Sequence, residues 1–283
     1  MSPSAASTRP HAACHVNRDR AQLRAETLVI EEPLEIRIVS QGREEAVTVT
    51  MRTPGADREL ALGFLIAERI LRDASQVKTI HPCGQRSNVI KVELREGVEP
   101  RLKSVARNFA SSASCGLCGK TSLEAVSTLD PVVSIECLAP PIPTSFLYGI
   151  PQRLRAAQQV FDLTGGLHAV AAFDLGGDLL TMHEDVGRHN AVDKVIGTLT
   201  ATDWQPSRTL FALSGRAGFE LVQKAAAVQV PVIVAIGAPS SLAVQLAEQV
   251  GITLIGFLRA SSFNVYTHPQ RLEQYVPQMQ EAV

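Results

Sequence analysis

The chain has 283 residues, 45% of them hydrophobic and 19% charged, and a formal net charge of −1. That length suits one large or two modest domains with a sizeable core, and the composition is that of an ordinary globular protein. The lack of a basic excess disfavours nucleic acid as the main partner, and no apolar run approaches the length of a membrane span.

Residues 1–24, rich in small residues and arginine, lack the continuous apolar core of a secretory signal. The expectation is a disordered tail on a cytoplasmic protein. The cysteines are Cys14, Cys83, Cys115, Cys118 and Cys137. An odd count without a signal peptide does not describe a disulfide framework, so a reducing compartment is expected.

Residues 25–110 read as a small α+β domain. "TLVIEEPLEIRIV" holds two extended stretches broken at Pro33, and Ala46 to Met51 alternates with the period of a strand. The period then lengthens. Leu60, Phe64, Ala67 and Leu71 fall on one helical face, with Asp57 as the expected N-cap. "NVIKVEL" returns to strand alternation.

Residues 111–139 are expected to form a CxxC loop and a helix. A Pro-rich stretch, "LAPPIPTSFLYGIP", reads as a boundary. Residues 140–283 are then an α/β domain. A helix from Gln152 to Phe161 is expected first. Two strands follow, turning at Gly176 and Gly177, and then a helix from Arg188 to Leu199. "TLFALSG", "VPVIVAIG" and "ITLIGFLR" are near-continuous apolar strands separated by helical segments. That alternation predicts a parallel sheet covered on both faces, in a three-layer arrangement.

In open α/β sheets, ligands bind beyond the carboxyl ends of the strands. Those ends here carry Ser214, Gly215 and Arg216, then Gly237, Ser240 and Ser241, then Arg259, Ser261 and Ser262. Glycine and serine are ordinary turn residues. Three such ends in register, two with arginine, instead suggest a crevice for phosphate groups and a polar ring. Neither a GxGxxG nor a P-loop pattern is present. "HEDVGRHNAVDK" packs His183, Glu184, Asp185, Arg188, His189, Asn190, Asp193 and Lys194 where a strand gives way to a helix. Capping and solvated-face roles cover part of that cluster. The remainder reads as an edge of the same crevice or a subunit contact.

Three chemistries compete for Cys115 and Cys118. A structural zinc site needs four ligands, normally from two such pairs, and there is one. A zinc deaminase would place its HxE ahead of a PCxxC; here His183-Glu184 follows the cysteines without a spacer, and Ser114 precedes Cys115. A thioredoxin-type site needs a strand before the pair, and "RNFASSAS" is not one. A sulfur carrier needs a thiolate. Thr121 and Glu124 have the spacing of a capping box, so a helix N-terminus and Lys120 lie beside the pair, and Gly116 and Gly119 leave the loop free to move.

"MRTPGADRELALGFLIAERI", "SCGLCGK", "TGGLHA", "EDVGRHNAVDKVIG", "SGRAGFELVQKAA" and "IGAPSSLAVQLAEQVGITLIGF" together resemble the FdhD family of formate dehydrogenase accessory proteins. The resemblance runs from about residue 25 to 275. It implies a sulfurtransferase that takes sulfur from a cysteine desulfurase as a persulfide. The sulfur passes to the molybdenum cofactor, bis-molybdopterin guanine dinucleotide, before insertion into formate dehydrogenase. The persulfide cysteine of the family lands on Cys115 and its companion on Cys118. The family's cofactor-binding segment lands on Phe257, Leu258, Arg259, Ala260, Ser261 and Ser262. A cytidine-deaminase-like fold, a homodimer and no resident metal are also implied. The segment here has few basic residues beyond Arg259. The strand-end reading adds Ser214, Arg216, Ser240 and His183 to the cofactor contacts. The alternative is a chaperone that holds and delivers the cofactor without sulfur chemistry.

Overall fold

A computed structural model describes residues 7–84, 88–102 and 141–273. Cys115, Cys118 and the expected loop and helix at 111–139 lie outside the described residues.

The first described elements correct the sequence reading. Residues expected to be a disordered tail form a ribbon of β1 (Thr8–Asn17) and β2 (Arg20–Val29), paired antiparallel without a register shift. Arg18 turns the chain with a positive φ of 52°. Small residues at alternate positions of β1 hid its period-two pattern, because alanine and cysteine contribute little to a hydrophobic alternation.

A four-stranded sheet follows, in the order β4-β3-β6-β5, from β3 (Glu32–Ser40), β4 (Arg43–Arg52), β5 (Val77–Pro82) and β6 (Val89–Leu94). Between β4 and β5 runs helix α1 (Asp57–Ala67). Asp57 is its first residue rather than its cap, which is Ala56 in the left-handed region. The carboxylate of Asp57 is taken instead by Arg52, whose side chain is buried and needs an anion (Nη2 to Oδ2, 2.9 Å).

The first helix of the second unit begins earlier than the expected Gln152. Pro143 precedes α2 (Thr144–Ala157), which carries Pro151 within it, and α3 (Gln159–Thr164) follows at once. Leu147, Ile150 and Leu154 give α2 a buried face at helical spacing. The sequence reading missed this start because proline dominates its local statistics, and tertiary burial outweighs them.

Six strands then form a mixed sheet in the order β12-β11-β10-β9-β7-β8. They are β7 (His168–Asp174), β8 (Leu179–Asp185), β9 (Thr209–Leu213), β10 (Val232–Ala235), β11 (Thr253–Gly256) and β12 (Asn264–Val265). β9, β10 and β11 are parallel, as their apolar runs predict, and the other pairs are antiparallel. The intervening helices are α4 (Arg188–Thr200), α5 (Phe219–Ala227) and α6 (Ser241–Val250).

Alternate strand residues feed two cores. Val170, Phe211, Leu213, Ile233 and Leu254 pack with α1, α4, α5, α6 and the inner face of the four-stranded sheet. Ala171, Phe173, Leu210, Val232 and Ile255 pack under α2. The first core therefore joins the two units rather than stopping between them. At its centre α1 crosses α4 at backbone distance. A Cβ on Gly63 would sit 1.8 Å from the carbonyl oxygen of Asp193, and one on Gly197 1.9 Å from that of Glu59. Only glycine permits that approach.

Candidate functional site, a cationic crevice at the strand ends

The β9, β10 and β11 ends are laced to one another by their turns. The Gly237 N–H donates to the Gly215 carbonyl at 2.9 Å, and the Phe257 N–H to the Gly237 carbonyl at 3.1 Å. Ala217 and Pro239 form a parallel bridge, so the turns stay in register beyond the sheet. Strand pairing thus sets the spacing of the side chains above it.

Several of the predicted contact residues have structural tasks. Ser214 Oγ accepts from the Ala169 N–H at 2.8 Å. Ser240 Oγ caps α6 by accepting from the Ala243 N–H at 3.2 Å. In the 257–262 segment, Leu258 is fully buried in the core under α2 and anchors the segment rather than facing the crevice. Phe257, with φ 50°, is 43% exposed beside it. Arg259 Nη1 donates to the carbonyls of Ile236 (2.6 Å) and Leu258 (2.8 Å), capping a strand end. Ala260, Ser261 and Ser262 are exposed. The ring of His183 turns away from the turns, with Nε2 2.7 Å from Thr198 Oγ1 on α4. Burial, then the charge of Lys194, pushes the pKa of His183 down to about 4.

The structure adds residues that the strand ends alone did not identify. His168 starts β7, pairs with Asp185 across the hairpin, and lies beside Gly215. Burial lowers its pKa, and the charges of Arg188, His189 and Arg216 lower it further. Arg188 and His189 open α4, whereas Arg216 lies in the turn before α5. His189 Nε2 is buried, has no hydrogen-bond partner and lies 3.5 Å from Glu220 Oε2. Burial pushes Glu220 upward, but the adjacent His189 ring, its own N–H and the nearby charge of Arg188 hold it below its ordinary value. His168 and Glu220 stand 52 positions apart in the chain, and only the β7–β9 pairing and the start of α5 bring them to one end of the sheet.

Asp185 offsets this cluster only in part, its charge acting against the lowering of His168. It is fully buried and spends its charge on Lys194 Nζ at 2.7 Å. Two arginines and two histidines therefore face one glutamate where α4 and α5 begin, and neither helix has a side-chain cap. Helix N-termini favour anions, and arginine binds phosphate in a fork. The arrangement can hold a multiply charged anion such as a pyrophosphate. Among the described residues, no group of three or more His, Cys, Asp or Glu is placed to hold a metal ion. Nor is any described helix long and apolar enough to cross a membrane.

Comparisons with known proteins identify the family of the chain that carries this sheet and crevice. It belongs to the FdhD/NarQ family, whose model matches residues 29–273. Relatives that bear the name sulfur carrier protein FdhD follow it closely. One from Mycolicibacterium paratuberculosis is 48% identical over 269 residues, covering 91% of this chain and 96% of the relative. One from Saccharolobus solfataricus is 41% identical over 246 residues, covering 87% and 90%. A crystal structure from Desulfotalea psychrophila, described as a formate dehydrogenase accessory protein, matches with a TM-score of 0.72 at 23% identity, over 94% of this chain and 99% of that one. That likeness is one of fold.

Proposed function

We propose that this protein is a sulfurtransferase that prepares the molybdenum cofactor for formate dehydrogenase in the cytoplasm. The sulfur donor is a cysteine desulfurase, and the acceptor is bis-molybdopterin guanine dinucleotide held in the strand-end crevice. The observation that carries the reading is the crowding of Arg188, Arg216, His168 and His189 around Glu220, with Asp185 already paired to Lys194. Such a site suits the pyrophosphates of a dinucleotide. The relatives' shared name, sulfur carrier protein, supplies the chemistry. The order β8-β7-β9-β10-β11, with β7 antiparallel to a parallel trio, supports the cytidine-deaminase-like reading of the fold.

The Cys115 thiolate attacks the outer sulfur of the donor persulfide. The donor's S–S bond breaks, the donor leaves as a thiolate, and Cys115 becomes a persulfide with no net change in electrons. Release as sulfide needs two electrons. The Cys118 thiolate supplies them by attacking the inner sulfur, which forms a Cys115–Cys118 disulfide and frees the outer sulfur. A cellular dithiol then reduces that disulfide. Phosphate contacts fall to Arg216 and Arg188. Ser261 and Ser262 offer hydroxyls to the guanine end, and the exposed Phe257 offers a face for its ring. Two copies of the chain act together.

The experiment is labelled-sulfur transfer from a desulfurase, read by mass spectrometry of the 111–124 peptide and by activation of formate dehydrogenase. A gain of about 32 Da on Cys115, the mass of one sulfur, is expected. Cys115→Ala should abolish both the label and the activation. A double cysteine variant that still binds cofactor and fully activates the enzyme would replace this reading with a non-catalytic cofactor chaperone.

A further inference from the structure

Helices α4 and α5 face each other through two rungs of opposite charge. His189 and Asp193 stand one turn apart on α4, and Glu220 and Lys224 one turn apart on α5, so each pair shares a helix face. The deeper rung is closed: Lys224 Nζ meets Asp193 Oδ1 at 2.9 Å. The rung at the crevice is open. His189 Nε2 lies 3.5 Å from Glu220 Oε2, beyond a good hydrogen bond, and is buried without a partner. Buried polar atoms are normally paired, so an unpaired one at a binding crevice points to a state of the site in which it is paired.

Glu220 is the fixed member of that rung. Its side chain turns back over the start of α5, where a Cβ on the N-cap Gly218 would meet Oε2 at 3.4 Å. Despite burial, the carboxylate is held below its ordinary pKa by the His189 ring and its own N–H, and an ionised carboxylate only accepts hydrogen bonds. The His189 ring is the other member. Nε2 is closed to solvent, but the side chain keeps 17% of its surface exposed, so its accessible part lies away from Nε2. The ring thus stands between a carboxylate and the space gathered by Arg188 beside it on α4, His168 on β7 and Arg216 in the turn before α5. Asp185, at the end of β8, is already paired with Lys194.

In the empty crevice the two arginines oppose a proton on His189. A bound pyrophosphate neutralises them and presents acceptor oxygens to the open part of the ring. A neutral imidazole has one N–H and one acceptor nitrogen, so between two anionic acceptors one of its contacts is repulsive. Only the imidazolium, with two donors, satisfies both. We propose that pyrophosphate binding draws one proton from solvent onto His189, and that Glu220 is the positioning residue that holds the imidazolium by closing the open rung. Hydrogen bonds of this kind are often long in an empty site and tighten in the complex. One N–H bond forms, the solvent gives up the proton, and no electron moves. Such uptake requires the crevice to be the anion site, as proposed above, and is independent of the sulfur chemistry.

Calorimetry of inorganic pyrophosphate with the full chain at pH 7, in buffers of low and high ionisation enthalpy, counts the protons taken up per bound anion. The probe's own ionisation is common to wild type and variants and cancels between them. Wild type should take up about half to one proton more than His189→Gln, the range for a group that titrates near neutrality. Glu220→Gln keeps the size of the side chain and removes its charge, and its count should fall to that of His189→Gln. A partly unfolded variant does not alter a count made per bound anion. For a variant too unstable to bind, the wild-type ring supplies the readout: NMR should show His189 passing from imidazole to imidazolium as pyrophosphate is added at pH 7. A ring that keeps its state overturns the proposal, and so do equal counts in wild type and either variant. Absence of pyrophosphate binding to wild type removes the crevice reading itself, and this proposal with it.

Discussion

Two sides of helix α4 handle charge in opposite ways. Along its inner side, every buried charge meets its opposite. Asp185 accepts from the N–H groups of Thr53 (3.1 Å) and Gly187 (2.8 Å) and from Asn190 Nδ2 (3.0 Å), and pairs with Lys194. Lys194 Nζ also donates to the Thr53 carbonyl at 2.9 Å. One turn away, Lys224 bridges Asp193 and Glu68, both at 2.9 Å. Burial pulls that lysine down, but the two carboxylates more than offset it, and its pKa lies above the ordinary value. At the mouth of α4, by contrast, Arg188, His189, His168 and Arg216 share one free carboxylate. Paired charges hold the two units together. Crowded like charges raise the free energy of the empty protein, and a bound anion relieves it.

The largest way to break this comparison is to unpair the seam. Asp185→Ala leaves Lys194 buried at 2% exposure with its carboxylate gone and also strands the Thr53 and Gly187 N–H groups. The expected loss is about 3–5 kcal/mol, the usual consequence of orphaning a buried charge. Urea unfolding monitored by circular dichroism measures it. A loss below about 1 kcal/mol would show that the seam contributes little.

A smaller effect sharpens the seam's limits. His183 sits on the paired side, against Thr198, and stays neutral because burial and Lys194 push its pKa to about 4. Its ordinary value is near 6.5, so between about pH 4 and 6.5 the unfolded chain binds more protons than the folded one. Stability is therefore full above about pH 6.5 and falls as pH falls through that window. The shift implies roughly 2–3 kcal/mol by pH 4. His183→Gln, which can still bond Thr198, should flatten that part of the curve. Parallel stability curves for the two proteins would remove His183 from the linkage.

The seam and the crevice were unequally legible in the sequence. β9, β10 and β11 announce themselves as short apolar runs, and the residues after them, Ser214, Arg216 and Ser240, do sit at the sheet's carboxyl edge. Which of those side chains are free was not readable. Leu258 and Arg259 look alike as members of a turn, yet one is core and the other caps carbonyls. Their roles depend on α2 and on the end of β10, both distant in the chain. The "HEDVGRHNAVDK" run shows the same limit. It reads as one polar cluster, but the end of β8 places Asp185 at the seam, and helical rotation sends Asn190 and Lys194 there while it leaves Arg188 and His189 at the crevice. The ribbon was hidden for another reason: its strands are apolar only in combination, through pairs such as Cys14–Leu23.

The smallest structural effect, and the most informative, comes from the crevice. Arg216 is exposed and has no part in either core. Arg216→Ala should change stability by less than about 0.5 kcal/mol, as surface substitutions do. It should nevertheless weaken inorganic pyrophosphate about tenfold by calorimetry, the loss of one charge-assisted hydrogen bond, with a shallower dependence on salt. His168 reports the same electrostatics independently. Its pKa is lowered by burial first, and then by Arg188, His189 and Arg216. Removing Arg216 should raise it in the free protein, and pyrophosphate should raise it in the wild type by neutralising the same cations. NMR titration of the imidazole gives both shifts. If pyrophosphate leaves His168 unmoved while Arg216→Ala raises it, the crowding is real but the anion binds elsewhere, and the crevice loses its claim to the cofactor.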